Sequence, residues 1–157
     1  MIEYKKWNET LIGKAWEYLV AYKLSSNWLK CFFAWEWFQY DLVVDTWKKL
    51  VRIQVKTTLS IKIQNKKKNT TKVMFFNLKR AWRWWKEVYK DGAFDYYALV
   101  CLENDRVFFI KQDMAWKKSI SIRDDNTDYI WPSGHNIEDM SIKNFIKEIL
   151  WTKNCEN

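Results

Sequence analysis

Glycine and proline are scarce, with 3 and 1 in 157 residues. That excludes collagen-like, linker-rich and low-complexity chains, whose backbones depend on both. Histidine occurs once, as His135 in a turn-like stretch, and one imidazole cannot build a histidine-based metal cluster. The 3 cysteines, Cys31, Cys101 and Cys155, are odd in number and show no CxxC spacing, which argues against a zinc ribbon or a disulfide framework. Cys31 and Cys101 are expected in the core and Cys155 as a tail thiol. Long apolar runs are missing too. Cys31 to Trp35 is among the longest, far short of the ~20 residues that cross a bilayer. The start, Met1-Ile2-Glu3-Tyr4-Lys5-Lys6, has no secretory-type apolar stretch, so a cytoplasmic protein without a membrane partner is expected.

What is present suffices for a core. Apolar residues make up 48%, and the length fits one domain over 1–157. Lys and Arg number 27 against 19 Asp and Glu, a net charge of +8 that makes a polyanion a natural partner. The bases cluster. Lys62, Lys66, Lys67, Lys68 and Lys72 fall around a polar stretch with the composition of an exposed hairpin tip. Arg80, Arg83 and Lys86 interleave with Trp82, Trp84 and Trp85, a mixture suited to phosphate pairing and base stacking. A solvated tip and an amphipathic helix burying its tryptophans explain the same two clusters without any ligand.

Apolar positions Leu11, Ile12, Ala15, Trp16, Leu19, Val20 and Leu24 recur at spacings of three and four, which predicts a helix over 8–24. Glu17 lies at the buried edge of that stripe, an odd place for a surface charge. Strands are expected over 30–38, 40–45 and 50–59, the last two joined by a turn at Thr46 to Lys49. A further strand is expected over 72–78, closing a basic hairpin. Residues 81–90 suit a helix, 94–102 and 106–110 a strand pair, and 141–151 a closing helix capped by Ser141. Residues 112–136 show no regular pattern. The order predicts an α+β (α/β) domain with a mixed central sheet flanked by helices.

Within that order, four polar groups gather. Gln54 and Lys56 are two apart on one strand and so share a face, and a hairpin around Thr46 to Lys49 brings Asp41 to the same end. Asp41 offers a carboxylate, Gln54 an amide oxygen, Val55 a backbone carbonyl, and Glu17 a contact through water. These are oxygen donors suited to Mg²⁺, with Mn²⁺ able to substitute. Lys56 would assist the attacking water in metal-assisted phosphodiester hydrolysis. Alternating polar residues are also what any half-exposed strand shows, so spacing alone favours a plain solvated sheet face over a metal site.

Three pieces in order, Gly13-x-x-x-Glu17, Tyr40-Asp41-Leu42-Val43-Val44-Asp45 and Arg52-Ile53-Gln54-Val55-Lys56-Thr57, resemble the PD-(D/E)XK nuclease superfamily of restriction enzymes and Holliday junction resolvases. The chain is most similar to the Gln-x-Lys group, which includes a homing endonuclease encoded in a cyanobacterial group I intron. Phe94 to Val100 with Val107 to Ile110 is similar to the strand pair that follows the catalytic core there, so the resemblance runs from Gly13 to about Ile110. It implies a restriction-endonuclease-like core, with Asp41 as metal-binding aspartate, Lys56 as active-site lysine and Glu17 as helix carboxylate. Gln54 stands where most members carry Asp or Glu, and Tyr40 where a proline is usual. The implied function is Mg²⁺-dependent cleavage of double-stranded DNA by a homing endonuclease acting as a homo-dimer or homo-tetramer, with the two basic clusters gripping the duplex. A junction resolvase and a non-catalytic DNA-binding module are the alternatives. The 12 tryptophans exceed any ordinary share and divide between core, subunit interface and base stacking.

Overall fold

The structure, a computed structural model, describes residues 8–66, 69–81, 86–87, 89–115, 118–123 and 140–151. Helix α1 spans Asn8–Ser25. A five-stranded sheet follows, built from β1 (Lys30–Phe33), β2 (Leu42–Asp45), β3 (Leu50–Thr58), β8 (Tyr96–Cys101) and β9 (Arg106–Lys111), side by side in that order. Only β3 and β8 run parallel, with Ile53 beside Tyr96 and Lys56 beside Leu99, so the sheet is mixed as expected. Between them in sequence come β4 (Ile61–Lys66) and β5 (Asn69–Asn77), which join β10 (Ser119–Arg123) in an antiparallel second sheet ordered β10-β5-β4. Helix α2 spans Ile142–Trp151, and the Asn144 N–H donates to the Ser141 hydroxyl at 3.3 Å, the expected cap.

Each face of the main sheet has its own core. On one face Leu42, Val44, Val51 and Ile53 meet Val20 and Leu24 of α1 and Phe145 and Ile149 of α2. On the other, Tyr97, Leu99, Phe108 and Ile110 meet Met74, Phe76, Ile120 and Ile122 of the second sheet. The period of two sorts β3 between them, with Val51, Ile53 and Val55 toward the helices and Gln54 and Lys56 toward the other side. Both described helices therefore cover one face, and a sheet covers the other.

Four expectations are corrected. Residues 81–90 are not a helix: β6 (Arg80–Ala81) pairs antiparallel with β7 (Lys86–Glu87). The cross-strand register Arg80↔Glu87 and Ala81↔Lys86 supplies the backbone hydrogen bonds that a helix would have supplied along the chain. The polar stretch after Lys62 is strand to its tip, because β4 and β5 pair from Ile61↔Met74 to Lys66↔Asn69. The patternless region after Gln112 contains β10, which borders β5 and is aligned by that neighbour rather than by its own short alternation. Leu11 and Ala15 of the α1 stripe are exposed, so the buried line runs through Glu17, Val20, Ala21 and Leu24.

The start of β8 is tied to β3 by a fork. Arg52 donates from its backbone N–H to Asp95 Oδ2 at 2.7 Å and from its guanidinium to both carboxylate oxygens, at 3.2 and 3.0 Å. Burial raises the Asp95 carboxyl, but the Arg52 hydrogen bonds outweigh it and hold it below the ordinary carboxylate range. A depressed folded-state pKa means stability present at neutral pH and lost as pH falls through that value. Asp95→Asn is expected to lower unfolding stability at pH 7 by about 1 kcal/mol, because solvent screens a pair this exposed. The difference from wild type should vanish in acid, as read by urea unfolding at several pH values.

Candidate active site

Asp41 stands one residue before β2, clamped on both sides. Its N–H donates to the Ile53 carbonyl at 2.9 Å and its carbonyl accepts the Ala34 N–H at 2.8 Å. The β2–β3 register, Leu42↔Ile53, sets Asp41 opposite Gln54 on the face away from the helices. There Asp41 Oδ2 accepts the Val55 N–H at 2.7 Å and the Gln54 amide Nε2, which also donates to the Val55 carbonyl at 3.2 Å. Asp41, Gln54 and Val55 thus meet around one small volume.

Lys56 is next to this group and is held by different atoms. Its Nζ donates to the Lys79 carbonyl at 3.0 Å and to the Tyr89 hydroxyl at 2.8 Å. Burial pushes the amine down to about 8, the Asp41 charge pulls it back up, and Arg80 adds to the lowering. Burial likewise pushes the Asp41 carboxyl up to about 6, with the Val55 N–H opposing and the nearby Glu17 charge adding repulsion. Glu17 is buried on α1 and accepts a hydrogen bond from Lys14 at 2.9 Å. Burial raises its carboxyl above the usual range, against the pull of Lys14. Gly13, one turn earlier, has nothing within 4 Å of where a side chain would stand, so no close contact requires glycine there.

Can these residues hold a divalent cation? No cluster of three or more His, Cys, Asp or Glu suited to a metal occurs among the described residues. The donor chemistry is nonetheless of the right kind. The Gln54 NH₂ sits between two oxygens, Asp41 Oδ2 and Val55 O, where a cation would be ligated. With its amide oxygen turned in, the set becomes oxygen-only, as Mg²⁺ requires, with one carboxylate in direct reach and waters completing the shell. The site fits a weakly held, hydrated divalent ion.

The basic residues are placed less uniformly. Lys62 and Lys72 are exposed on the β4–β5 hairpin, but the register pairs Lys72 with Ile63, so the two lysines leave opposite faces. Lys66 and Lys86 are placed by their backbones in β4 and β7, and Lys67, Lys68 and Arg83 lie outside the described residues, as do His135 and Cys155. The Arg80 charge adds to the lowering of the Lys56 amine and opposes part of the rise that burial imposes on the Tyr89 hydroxyl.

A profile of the PD-(D/E)XK endonuclease family matches residues 34–131, more than half of the chain and the stretch that carries Asp41, Gln54 and Lys56. The chain belongs to the PD-(D/E)XK endonuclease family. The family comprises DNA endonucleases that generally use divalent metal ions. Among solved structures, that of a bacterial homing endonuclease, I-Ssp6803I, is similar in fold, with a TM-score of 0.59 and 17% identity over 79% of this chain and 84% of that one. No curated protein matches the chain by sequence. No described helix is long and apolar enough to cross a membrane.

Tyr89 was missed by sequence reasoning. It lies 33 residues from Lys56, in a stretch expected to be helical, and no local pattern announces the contact. Its ring packs edge-on against Phe94 and Tyr97, which aims the hydroxyl at Lys56. Tyr89→Phe keeps the ring and removes the hydrogen bond. Cleavage turnover is expected to fall about tenfold, with unchanged DNA affinity and melting temperature, in single-turnover assays and calorimetry.

Proposed function

We propose that the chain is a single-domain, Mg²⁺-dependent endonuclease of the cytoplasm that cuts duplex DNA at a specific site, in the manner of a homing endonuclease, as a homo-dimer or homo-tetramer. The observation that carries this reading is the convergence of Asp41, Gln54 and Val55 on one volume, with Lys56 and Glu17 alongside. Asp41, the Gln54 amide oxygen and the Val55 carbonyl would hold the ion, and Glu17 would contact it through water. Bound there, the ion supplies charge stabilisation at the scissile phosphate. Lys56, depressed toward the working pH, orients and takes a proton from the attacking water, and its ammonium form then faces the developing negative charge. Tyr89 and the Lys79 carbonyl keep the amine aimed. Site specificity and DNA cleavage in pairs of nicks both favour a two-fold assembly, because one site cuts one strand.

Purified protein with Mg²⁺ and long linear DNA tests the reading. Discrete bands that vanish with EDTA support it, and retardation without cutting in Mg²⁺ and Mn²⁺ would remove it. One observation favours a second reading, a non-catalytic binder: Gln54 is neutral where most members have a carboxylate, and its amide donates to Asp41. The same assay separates the two.

The basic hairpin is proposed to grip the backbone, together with Arg80, Arg83 and Lys86. Replacing Lys66, Lys67 and Lys68 together by Ala is expected to weaken binding at low salt. The slope of log affinity against log salt should flatten by about 0.9 for each phosphate that is no longer neutralised. Fluorescence anisotropy at several salt concentrations reads both.

A further inference from the structure

Among the described residues β1 is the outer strand of the main sheet with no neighbour on its far side, and that edge is unusually apolar. The Ala34 N–H bonds inward to Asp41, so by the alternation of an antiparallel ladder Cys31 and Phe33 turn their N–H and C=O groups outward. Soluble proteins blunt such edges with charge, proline or bulges. Here the edge is instead flanked by Phe32 and Phe33, by Trp35 and Trp37 beyond one end, and by Trp28 and Trp47 near the other. The four tryptophans are 69–91% exposed and the two phenylalanines 44–55%. At roughly 150–250 Å² per aromatic side chain, that is on the order of 900 Å² of open apolar surface, against ~800 Å² per partner in a standard interface. Lone surface aromatics need no explanation, but six exposed ones gathered along a single sheet edge do.

The backbone sharpens the point. Trp28 and Trp47 have φ of 67° and 66°, left-handed values where glycine or asparagine is favoured. Local backbone energetics oppose a tryptophan at either place; the Lys30 ammonium 4.1 Å above the Trp47 ring offsets part of that cost, but both side chains stay largely exposed.

We infer that the β1 edge is a subunit interface, pairing antiparallel with β1 of a second copy of this chain about a two-fold axis at Phe32. This register sets Cys31 opposite the partner's Phe33 and Phe33 opposite the partner's Cys31, so every outward group is paired, and it brings the two copies of Phe32 face to face. Lys30 at one end and Glu36 past the other are exposed, and antiparallel pairing sets each end of the segment toward the other copy's opposite end, where parallel pairing would set like charges side by side. A second copy is thus favoured over an unrelated partner, because the edge complements itself. The axis is perpendicular to the sheet, which keeps both active sites on the same side. They are separated by three strand spacings sideways and about four residues lengthwise, roughly 20 Å in all. That suits one site for each strand of one duplex. The interface specifies the dimer of the proposed function and rests on that reading for its purpose, though not for its existence.

Sedimentation equilibrium of the full chain at about 50 µM tests it, with and without EDTA. Wild type is expected at twice 19.3 kDa, and Phe32→Glu as a monomer with an unchanged circular dichroism spectrum. Trp47→Gly relieves the left-handed backbone, so its monomer should be no less stable while its dimer dissociates at least tenfold more readily. Phe32→Cys should give far more covalent dimer on mild oxidation than wild type, because directly opposed residues of a non-hydrogen-bonded pair lie ~4.5 Å apart at Cα. On supercoiled plasmid with Mg²⁺, Phe32→Glu should nick but no longer linearise. A monomeric wild type, a Phe32→Glu variant as dimeric as wild type, or no excess crosslinking from Phe32→Cys overturns the inference. A dimer with these properties that cuts no DNA leaves the interface standing and refutes the nuclease.

Discussion

Lys56→Ala is expected to slow DNA cleavage about a hundred- to ten-thousandfold while leaving DNA affinity within about twofold. The loss is that of one positioned proton-transfer group and one charge near the scissile phosphate. Binding should survive because Lys56 is largely covered, tied to Lys79 and Tyr89, and contributes little to the surface that meets the duplex. The fold should survive as well. A buried amine whose pKa has fallen to about 8 is costly to keep charged, and its removal offsets the two acceptors left without a donor. Single-turnover kinetics, anisotropy and a melting curve check the three parts. Equal rates for variant and wild type would remove Lys56 from the reaction.

Asp41→Asn is expected to abolish cleavage and, without metal, to make the protein more stable. In the folded chain the Asp41 carboxyl is pushed up to about 6 by burial, with Glu17 repulsion adding to it. A raised folded-state pKa means that the folded form holds its proton where the unfolded form has released it. Between about pH 4 and 6 stability therefore falls as pH rises, by on the order of 3 kcal/mol in total. Asparagine carries no charge, can still accept the Val55 N–H, and can pair with a turned Gln54 amide. At pH 7 in EDTA its melting temperature should exceed that of wild type. Millimolar Mg²⁺ should raise the wild-type melting temperature and leave Asp41→Asn unmoved, since a ligand stabilises only the form that binds it. Equal responses to Mg²⁺ would place the ion elsewhere.

Both effects express one design. The opposite charges of buried Asp41 and Lys56 partly offset each other's desolvation, and the proposed cation between the oxygens would relieve the remainder. The Arg52–Asp95 fork and the β3–β8 pairing hold the strand that carries Gln54 and Lys56.

Much of this was legible in the sequence because the relevant periodicities are local. The spacing of Val20 and Leu24 wrote α1, the alternation from Val51 to Lys56 wrote β3 and its two faces, and the turn at Thr46 to Lys49 paired Asp41 with that strand. Ser141 marked the start of α2. These patterns depend on neighbours within a few residues, and the order of the Asp41, Gln54 and Lys56 motifs carried the family with it. What only the tertiary structure decided depends on distant partners. β10 exists because β5 lies beside it, and β6 and β7 pair with each other across a gap in sequence that helical spacing does not announce. Tyr89 meets Lys56 because the connection into β8 packs its ring against Phe94 and Tyr97. The free edge of β1, with Phe32, Trp28 and Trp47 left in solvent, could not be read from composition. Whether an aromatic side chain is core or surface is settled by which strand ends a sheet, and strand order is a property of the whole chain.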